Sequence, residues 1–532
     1  MLIIQDDDES SMTDKSSNGD ILVFLPGQEE IEDLTSLLQS HLTLLSQQKQ
    51  QTEQSGDIVI DLTNSKEQHQ HSPIIHNTMI CQLYAALPPN IQLTAFLPKP
   101  PSVRRKIILA TNIAETSVTL DAVTHVIDTG KHKQRRFSGA TGVESLTLDN
   151  VSRAQAEQRA GRAGRVRSGY CFRLYTYEAF ESLEAVAAPE ILRVNLAHAV
   201  LQLKGMGVRG NLLDSFEFLT PPSSEHLLKA FELLFALGAL DETRGMELTR
   251  KGRVMAMFPL DPVFSHLLIR GKDYNCLKEV LTAVAMLSVE NVFFRGTGNT
   301  NKSLSDRATN AHRRFTSFEG DLPTLLSVYD HWRKEAVYTT GKKRQKQLLR
   351  QDPATTTTTG NGTVKMTHGD WCTKNFINGR AMTRAHDVRR QISDICSRSV
   401  ARHGLGWDVN ASCGTDRELF LKCVCAGLFL RAAARVPSAN ETSVAEGGSC
   451  KRRKVAASSS HGVAVGGGKY KTKIGGREVS IHPASCMFGR NPPPKCVVYT
   501  ELLVTKKVYV RGVTQVREEW LAEVAPKFFR GG

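Results

Sequence analysis

Residues 158–165 read QRAGRAGR, a glutamine and three arginines spaced by alanine and glycine. Arg159, Arg162 and Arg165 recur every three residues, and Gln158 and Arg162 stand four apart. On a helix or helical turn this spacing sets them on neighbouring positions of one side. Ala160, Gly161, Ala163 and Gly164 keep the turn slim, so a bulky anion can approach. Arginine holds phosphate oxygens in a planar fork, and phosphate recognition is the chemistry this stretch predicts. A second stretch, TNIAETSVTLD (111–121), places small polar side chains and backbone donors behind a strand-like run. Such groups suit contacts to phosphate, and equally the cap of a helix.

Residues of this kind need elements to hold them. Residues 20–25, DILVFL, form a buried-strand run, and Ile31, Leu34, Leu37, Leu38, Leu42 and Leu45 follow at helical spacing. A helix is expected from Met79 to Phe96, then strands over 106–111 and 125–130. Alternation of this sort predicts a parallel α/β sheet, whose ligands sit at the carboxyl ends of its strands. From about residue 176 to 435 the pattern is mainly helical, with apolar stripes of period 3.6. The last hundred residues alternate and are rich in β-branched side chains, which fits a small barrel. Residues 46–77, 336–365 and 437–468 are polar or low in complexity and are expected to be disordered insertions.

The 532 residues exceed one core and predict several domains. Lys and Arg number 68 against 54 acids, a net charge of +14, which favours a polyanionic partner such as nucleic acid. No run of about 18 apolar residues occurs, so no membrane span is expected, and the first twenty residues do not read as a secretory signal. The eleven cysteines form no CxxC pair. They predict reduced thiols and no metal site, and Cys423 and Cys425 would share one face if their segment were a strand. His69, His71 and His76 read as part of a polar tract.

DILVFLPGQEEIE (20–32), LYAALPPNIQLTAF (83–96), ATNIAETSVTLD (110–121) and SRAQAEQRAGRAGR (152–165) together resemble, in order and spacing, motifs IV, IVa, V and VI of DEAH-box RNA helicases. HGDWCTKNFINGRAMTRAHDVRRQI (368–392) and VYTELLVTKKVYVRGVTQVREEWLAEVAPKFF (498–529) extend the likeness. The resemblance implies a multi-domain chain. Its parts would be a leader at 1–18, a second RecA-like α/β domain at 19–175, a winged helix at 176–262, a helical ratchet bundle at 263–405 and an OB-fold β-barrel at 406–532.

The family's site residues map by motif. The resemblance makes Arg162 and Arg165 arginine fingers to the triphosphate of ATP, with Gln158 orienting water or the γ-phosphate, and has Arg159 pair within its own domain. It makes Thr111 and Asn112 RNA-backbone contacts, Ser117 a sensor of nucleotide state, and Thr119 and Asp121 neighbours of the ribose. Phe96 matches the aromatic that stacks on adenine, with a place in the core as the alternative. Pro26 stands where the family has Thr or Ser, and proline offers neither hydroxyl nor N–H for an RNA contact.

Neither GxxxxGK(S/T) nor DEAH occurs in the chain. ATP and Mg²⁺ are therefore expected to act only with a first RecA-like domain supplied elsewhere, and the chain reads as the C-terminal part of a helicase, inactive alone. The alternative is an ATPase-inactive RNA- or protein-binding module. RNA and G-patch activators are the partners the resemblance implies, in the nucleus. Lys451, Arg452, Arg453 and Lys454 form a basic run suited to nuclear import or to RNA. Val59, Ile60 and Leu62, around Asp61, resemble a SUMO-interaction motif, which adds a strand to its partner's sheet.

Overall fold

DILVF is apolar but for its first residue, and β1 (Asp20–Phe24) is buried from end to end. The computed structural model describes residues 19–54, 78–337, 366–400, 406–437 and 468–529, apart from 86, 88, 117–118, 140–142, 167, 211, 290–291, 295–301 and 505–506. Two compact units divide the chain: Met1–Gln134 with Thr147–Ala188 and Gly296–Ser303, and Arg135–Leu146 with Pro189–Arg295 and Leu304–Gly532.

In the first unit α1 (Gln28–Gln54), β2 (Thr78–Leu83), α2 (Pro89–Phe96), β3 (Arg105–Ala110), the short α3 (Ile113–Thr116) and β4 (Val123–Asp128) follow β1. Then come β5 (Lys131–Ser138) and β6 (Val143–Asn150), of which residues 135–146 belong to the second unit, followed by α4 (Arg153–Ala160), β7 (Tyr170–Arg173) and α5 (Tyr177–Glu181). Five strands form one sheet in the order β2-β3-β1-β4-β7, and every pairing is parallel. Leu22, Phe24, Ile108 and Val126 point to one face, and Ile21, Val23, Ile107 and Leu109 to the other. Apolar side chains on both faces are what a parallel sheet between helices requires, and each one fully buried contributes about 1.5–3 kcal/mol. Ile31, Leu34 and Leu38 of α1 cover the second face, while Leu37 is 68% exposed.

Two expectations are corrected here. Met79–Phe96 is not one helix: Thr78–Leu83 is a strand and only Pro89–Phe96 is helical. Pro88 and Pro89 forbid a helix running through them, and Pro89 suits the first turn of a new one. The helix α1 also runs on to Gln54, so residues 46–54, expected in an insertion, are helical.

The second unit begins its helices with α6 (Ala197–Gly205), α7 (Leu212–Ser215) and α8 (Ser224–Ala236). A two-stranded turn, β8 (Leu240–Asp241) and β9 (Glu247–Leu248), precedes α9 (Arg250–Met255). Next come α10 (Pro262–Asp273), α11 (Leu277–Leu287), α12 (Lys302–Arg313) and α13 (Asp321–Glu335). The short strands β10 (Ala336–Val337) and β11 (Met366–Thr367) lead to α14 (His368–Lys374), α15 (Gly379–Asp394) and α16 (Arg417–Leu428). Side chains set the starts of these helices: Ser223, Thr249, Asp261 and Asp416 each accept a first-turn N–H, with Pro262 at the first helical position of α10. Gly427 lets α16 lie against α10, since a Cβ there would stand 2.2 Å from Leu267 Cδ1. Cys423 and Cys425 lie on α16, a helix rather than a strand, and both are fully buried.

Seven strands end the chain: β12 (Ala432–Arg435), β13 (Lys469–Thr472), β14 (Glu478–Ile481), β15 (Cys496–Val498), β16 (Glu501–Val504), β17 (Val508–Arg511) and β18 (Thr514–Val516). They form one sheet in the order β16-β17-β14-β13-β12-β15-β18, antiparallel except for β14 with β17. The helix α17 (Glu518–Val524) follows, with Trp520 and Leu521 buried.

Candidate nucleotide and nucleic-acid site

The arginine-rich stretch begins on α4, whose start is fixed by a capping box. Ser152 Oγ accepts the Gln155 N–H at 3.2 Å, and Gln155 Oε1 accepts the Ser152 N–H at 3.0 Å. The helix ends at Ala160, and Gly161 is its C-cap. Beyond it the chain tightens: Arg162 N–H donates to Arg159 O at 3.1 Å and Ala163 N–H to Ala160 O at 3.0 Å. The three arginines therefore do not share one side. Arg159 is fully buried, Arg162 is 5% exposed, and Arg165 and Gln158 are exposed. Ala163 is small because it packs into the core under the sheet, and Gly164 faces open space.

Arg159 is held on every side. Its Nε donates to Glu115 Oε1 at 2.7 Å, and its Nη1 to Asp128 Oδ1 at 2.7 Å and to Lys131 O at 3.2 Å. Its guanidinium lies 4.8 Å from the centre of the Phe24 ring. Asp128, at the carboxyl end of β4, also accepts the Tyr175 hydroxyl at 2.9 Å and the Gly130 N–H at 2.9 Å. Burial first, and then the Asp128 carboxylate, push the Tyr175 hydroxyl above its ordinary pKa. Arg162 Nη2 donates to the backbone carbonyl of Glu115. Burial and the neighbouring Arg165 lower the Arg162 pKa, with Glu115 opposing them. Glu115 thus holds two arginines at once, one by its side chain and one by its backbone.

The pairing of Arg159 inside its own domain is as expected; its partners Glu115 and Asp128 were not singled out in the sequence. Each offered a signal. Glu115 is an acid inside TNIAETS, and Asp128 is the one acid at the carboxyl end of a central strand.

Thr111 and Asn112 stand directly after β3, at a strand end, with Thr111 half-buried and Asn112 exposed. The Thr111 N–H donates to Leu83 O at 3.1 Å, and the carbonyls of Thr111 and Asn112 accept the N–H groups of Ala114 and Glu115. Thr119 and Asp121 are exposed, and Ser117 lies outside the described residues. Phe96 ends α2, half-buried against the core. Lys106 secures that helix end: its Nζ donates to the carbonyls of Thr94, Ala95 and Leu97 at 3.3, 3.2 and 2.6 Å. Gly27 lies beneath the ion pair of Lys133 and Glu30, whose N–O separation is 2.9 Å. Val59, Ile60, Leu62 and Lys451, Arg452, Arg453, Lys454 fall outside the described residues.

The exposed Arg165 guanidinium beyond α4 and the Thr111 hydroxyl at the end of β3 are groups that suit an anionic ligand such as a triphosphate. Among the described residues no group of three or more His, Cys, Asp and Glu side chains is placed to hold a metal ion. No described helix is long and apolar enough to cross a membrane.

Comparison with known proteins agrees with this architecture. Residues 42–167 match the helicase conserved C-terminal domain, 230–260 the winged-helix part of the helicase-associated domain, 261–325 its ratchet-like part, and 420–528 the oligonucleotide/oligosaccharide-binding OB-fold. Over 513 residues, 96% of this chain, the sequence is 35% identical to the pre-mRNA-splicing factor ATP-dependent RNA helicase prp22 of Schizosaccharomyces pombe. The chain belongs to the DEAH-box RNA helicase family. The match spans 35% of the length of that relative. Within the family's plan, the five-stranded parallel sheet is the RecA-like domain and the C-terminal strands are the OB-fold.

Proposed function

We propose that this chain supplies the second motor domain and the RNA-guiding C-terminal domains of an ATP-dependent RNA helicase. The observation that carries this reading is the locking of Arg159 by Glu115 and Asp128, which fixes the turn from which Arg162 and Arg165 leave. From this turn the exposed Arg165, and Arg162 on releasing the Glu115 carbonyl, would meet ATP bound on a partner RecA-like domain and stabilise charge on the transferring phosphoryl group. Magnesium would come with that nucleotide, from ligands outside the described residues. Thr111 and Asn112 would touch the RNA backbone, Ser117, Thr119 and Asp121 the nucleotide, and Phe96 the adenine. The net charge of +14 would draw RNA to the second unit.

A G-patch protein is the activator this reading expects, and RNA processing in the nucleus its setting, since the relative's name is that of a splicing factor. Import through Lys451–Lys454 and SUMO binding through Val59, Ile60 and Leu62 belong to the same proposal. The second reading is an RNA- or protein-binding module without ATPase activity.

RNA-stimulated ATP hydrolysis, measured with a first RecA-like domain supplied in the same polypeptide, separates the two. The motor reading expects Arg162→Ala and Arg165→Ala to reduce the rate by about 10³-fold or more. Unchanged rates, or RNA binding indifferent to both substitutions and to nucleotide, would leave only the module.

A further inference from the structure

The turn between α12 and α13 carries Phe318, 83% exposed and the most exposed aromatic side chain among the described residues. Single exposed hydrophobics are ordinary. This one differs in how firmly its backbone is held. Arg490 Nη1 donates to Phe318 O, and the Gln515 N–H donates to Glu319 O at 2.8 Å. The Ser317 N–H donates to Thr324 Oγ1 at 2.9 Å. Asp321 accepts the N–H of Cys486 at 2.8 Å and that of Val513 at 2.7 Å, and its own N–H donates to Val513 O at 2.7 Å. Gly320, with φ +129°, passes so close to Val513 that a Cβ would lie 2.3 Å from its carbonyl oxygen. These bonds hold the backbone of the turn, with the phenyl ring in solvent.

The cation beside the ring is Arg490. Ser317 and Arg417 take up the Glu319 carboxylate, the latter at 3.2 Å, and the Asp321 carboxylate is spent on backbone N–H groups. Arg490 places its guanidinium 5.9 Å from the ring centre and anchors on Gln515 Oε1 at 3.0 Å, while the Arg417 side chain is 72% exposed. Phe318 is the only exposed large hydrophobic residue in the turn, and it offers one flat ring beside the Arg490 guanidinium. A protein partner would call for a wider apolar patch; an unpaired base with its phosphate needs only a ring and a guanidinium.

We propose that Phe318 is a stacking platform for one base of a single-stranded RNA, with Arg490 facing the adjoining phosphate. The inference rests on the RNA-binding reading above and adds to it a base subsite in this turn.

The test measures binding of the full chain to fluorescein-labelled 15-residue oligouridine RNA, by anisotropy, across a salt series. Phe318→Ala should weaken binding by about 5- to 100-fold, and Phe318→Trp should stay within about threefold of the parent. The salt slope should not change, because no charge is removed. An abasic position scanned along the RNA should weaken the parent at one register and leave Phe318→Ala unaffected there. If the parent and Phe318→Ala bind alike with the same salt slope, the platform is refuted and Phe318 is left to a protein contact. If the parent chain binds no RNA, the functional reading itself falls.

Discussion

Replacing Arg159 by methionine should unfold the RecA-like domain far more readily than any surface change. The Arg159 and Asp128 side chains have no exposed surface, and that of Glu115 has 7%. Methionine fills part of the guanidinium's volume but leaves two carboxylates buried beside each other without a counter-charge. Breaking a buried pair from one side costs about 3–5 kcal/mol. With a urea dependence of about 1–3 kcal/mol per molar, the midpoint should fall by about 1–5 M. Because the chain has two units, bulk spectroscopy would mix their transitions. Hydrogen exchange at the amides of β1 and β4 against urea reports on the first unit by itself. The triple variant Arg159→Met, Glu115→Gln, Asp128→Asn removes the charges together and should regain at least half of the loss. A single-variant loss below about 1 kcal/mol, or a triple variant no better than the single, would refute the claim that paired charge holds this turn.

Three further outcomes follow from other contacts. Lys106→Met strips the donor from the carbonyls of Thr94, Ala95 and Leu97 and should cost about 1–3 kcal/mol, seen as faster exchange along α2. Gly427→Ala puts a Cβ 3.0 Å from Leu267 Cα and should cost about 1–3 kcal/mol by driving α16 off α10, read as a lower Tm of the second unit. Burial, then Lys251 and Arg270, hold the His266 imidazole well below its ordinary 6.5. The folded chain keeps it neutral while the unfolded chain takes up a proton below about pH 6.5, so the second unit should lose up to about 1.4 kcal/mol per pH unit on acidification. His266→Gln should flatten that slope in a urea titration repeated between pH 5 and 8.

The sequence carried more of the sheet than of its surroundings. Runs such as DILVF and KIILA are apolar through and through because both faces of a parallel strand are covered, and that signal is local. Within Met79–Phe96 the two adjacent prolines, Pro88 and Pro89, are the local signal of the boundary between strand and helix. At the site, arginine spacing pointed to a phosphate chemistry but misjudged direction: Gly161 ends the helix, so Arg159 turns inward while Arg165 stays out. Glu115 and Asp128 could not be paired with Arg159 from sequence, since 44 and 31 residues separate them and only the sheet topology brings them together. Phe318 gave no periodic signal at all; its standing depends on tertiary bonds to Arg490 and Gln515.

The carboxylate of Asp321 binds backbone 165 and 192 residues further along, at Cys486 and Val513. The first turn of α13 therefore lacks these ligands until most of the chain has left the ribosome. The RecA-like sheet, by contrast, has its last strand once Arg173 has emerged. During synthesis the two units thus mature on different clocks. The parallel sheet can close early, while the helices that follow wait, with their apolar faces open to chaperones, for the C-terminal strands that complete their core.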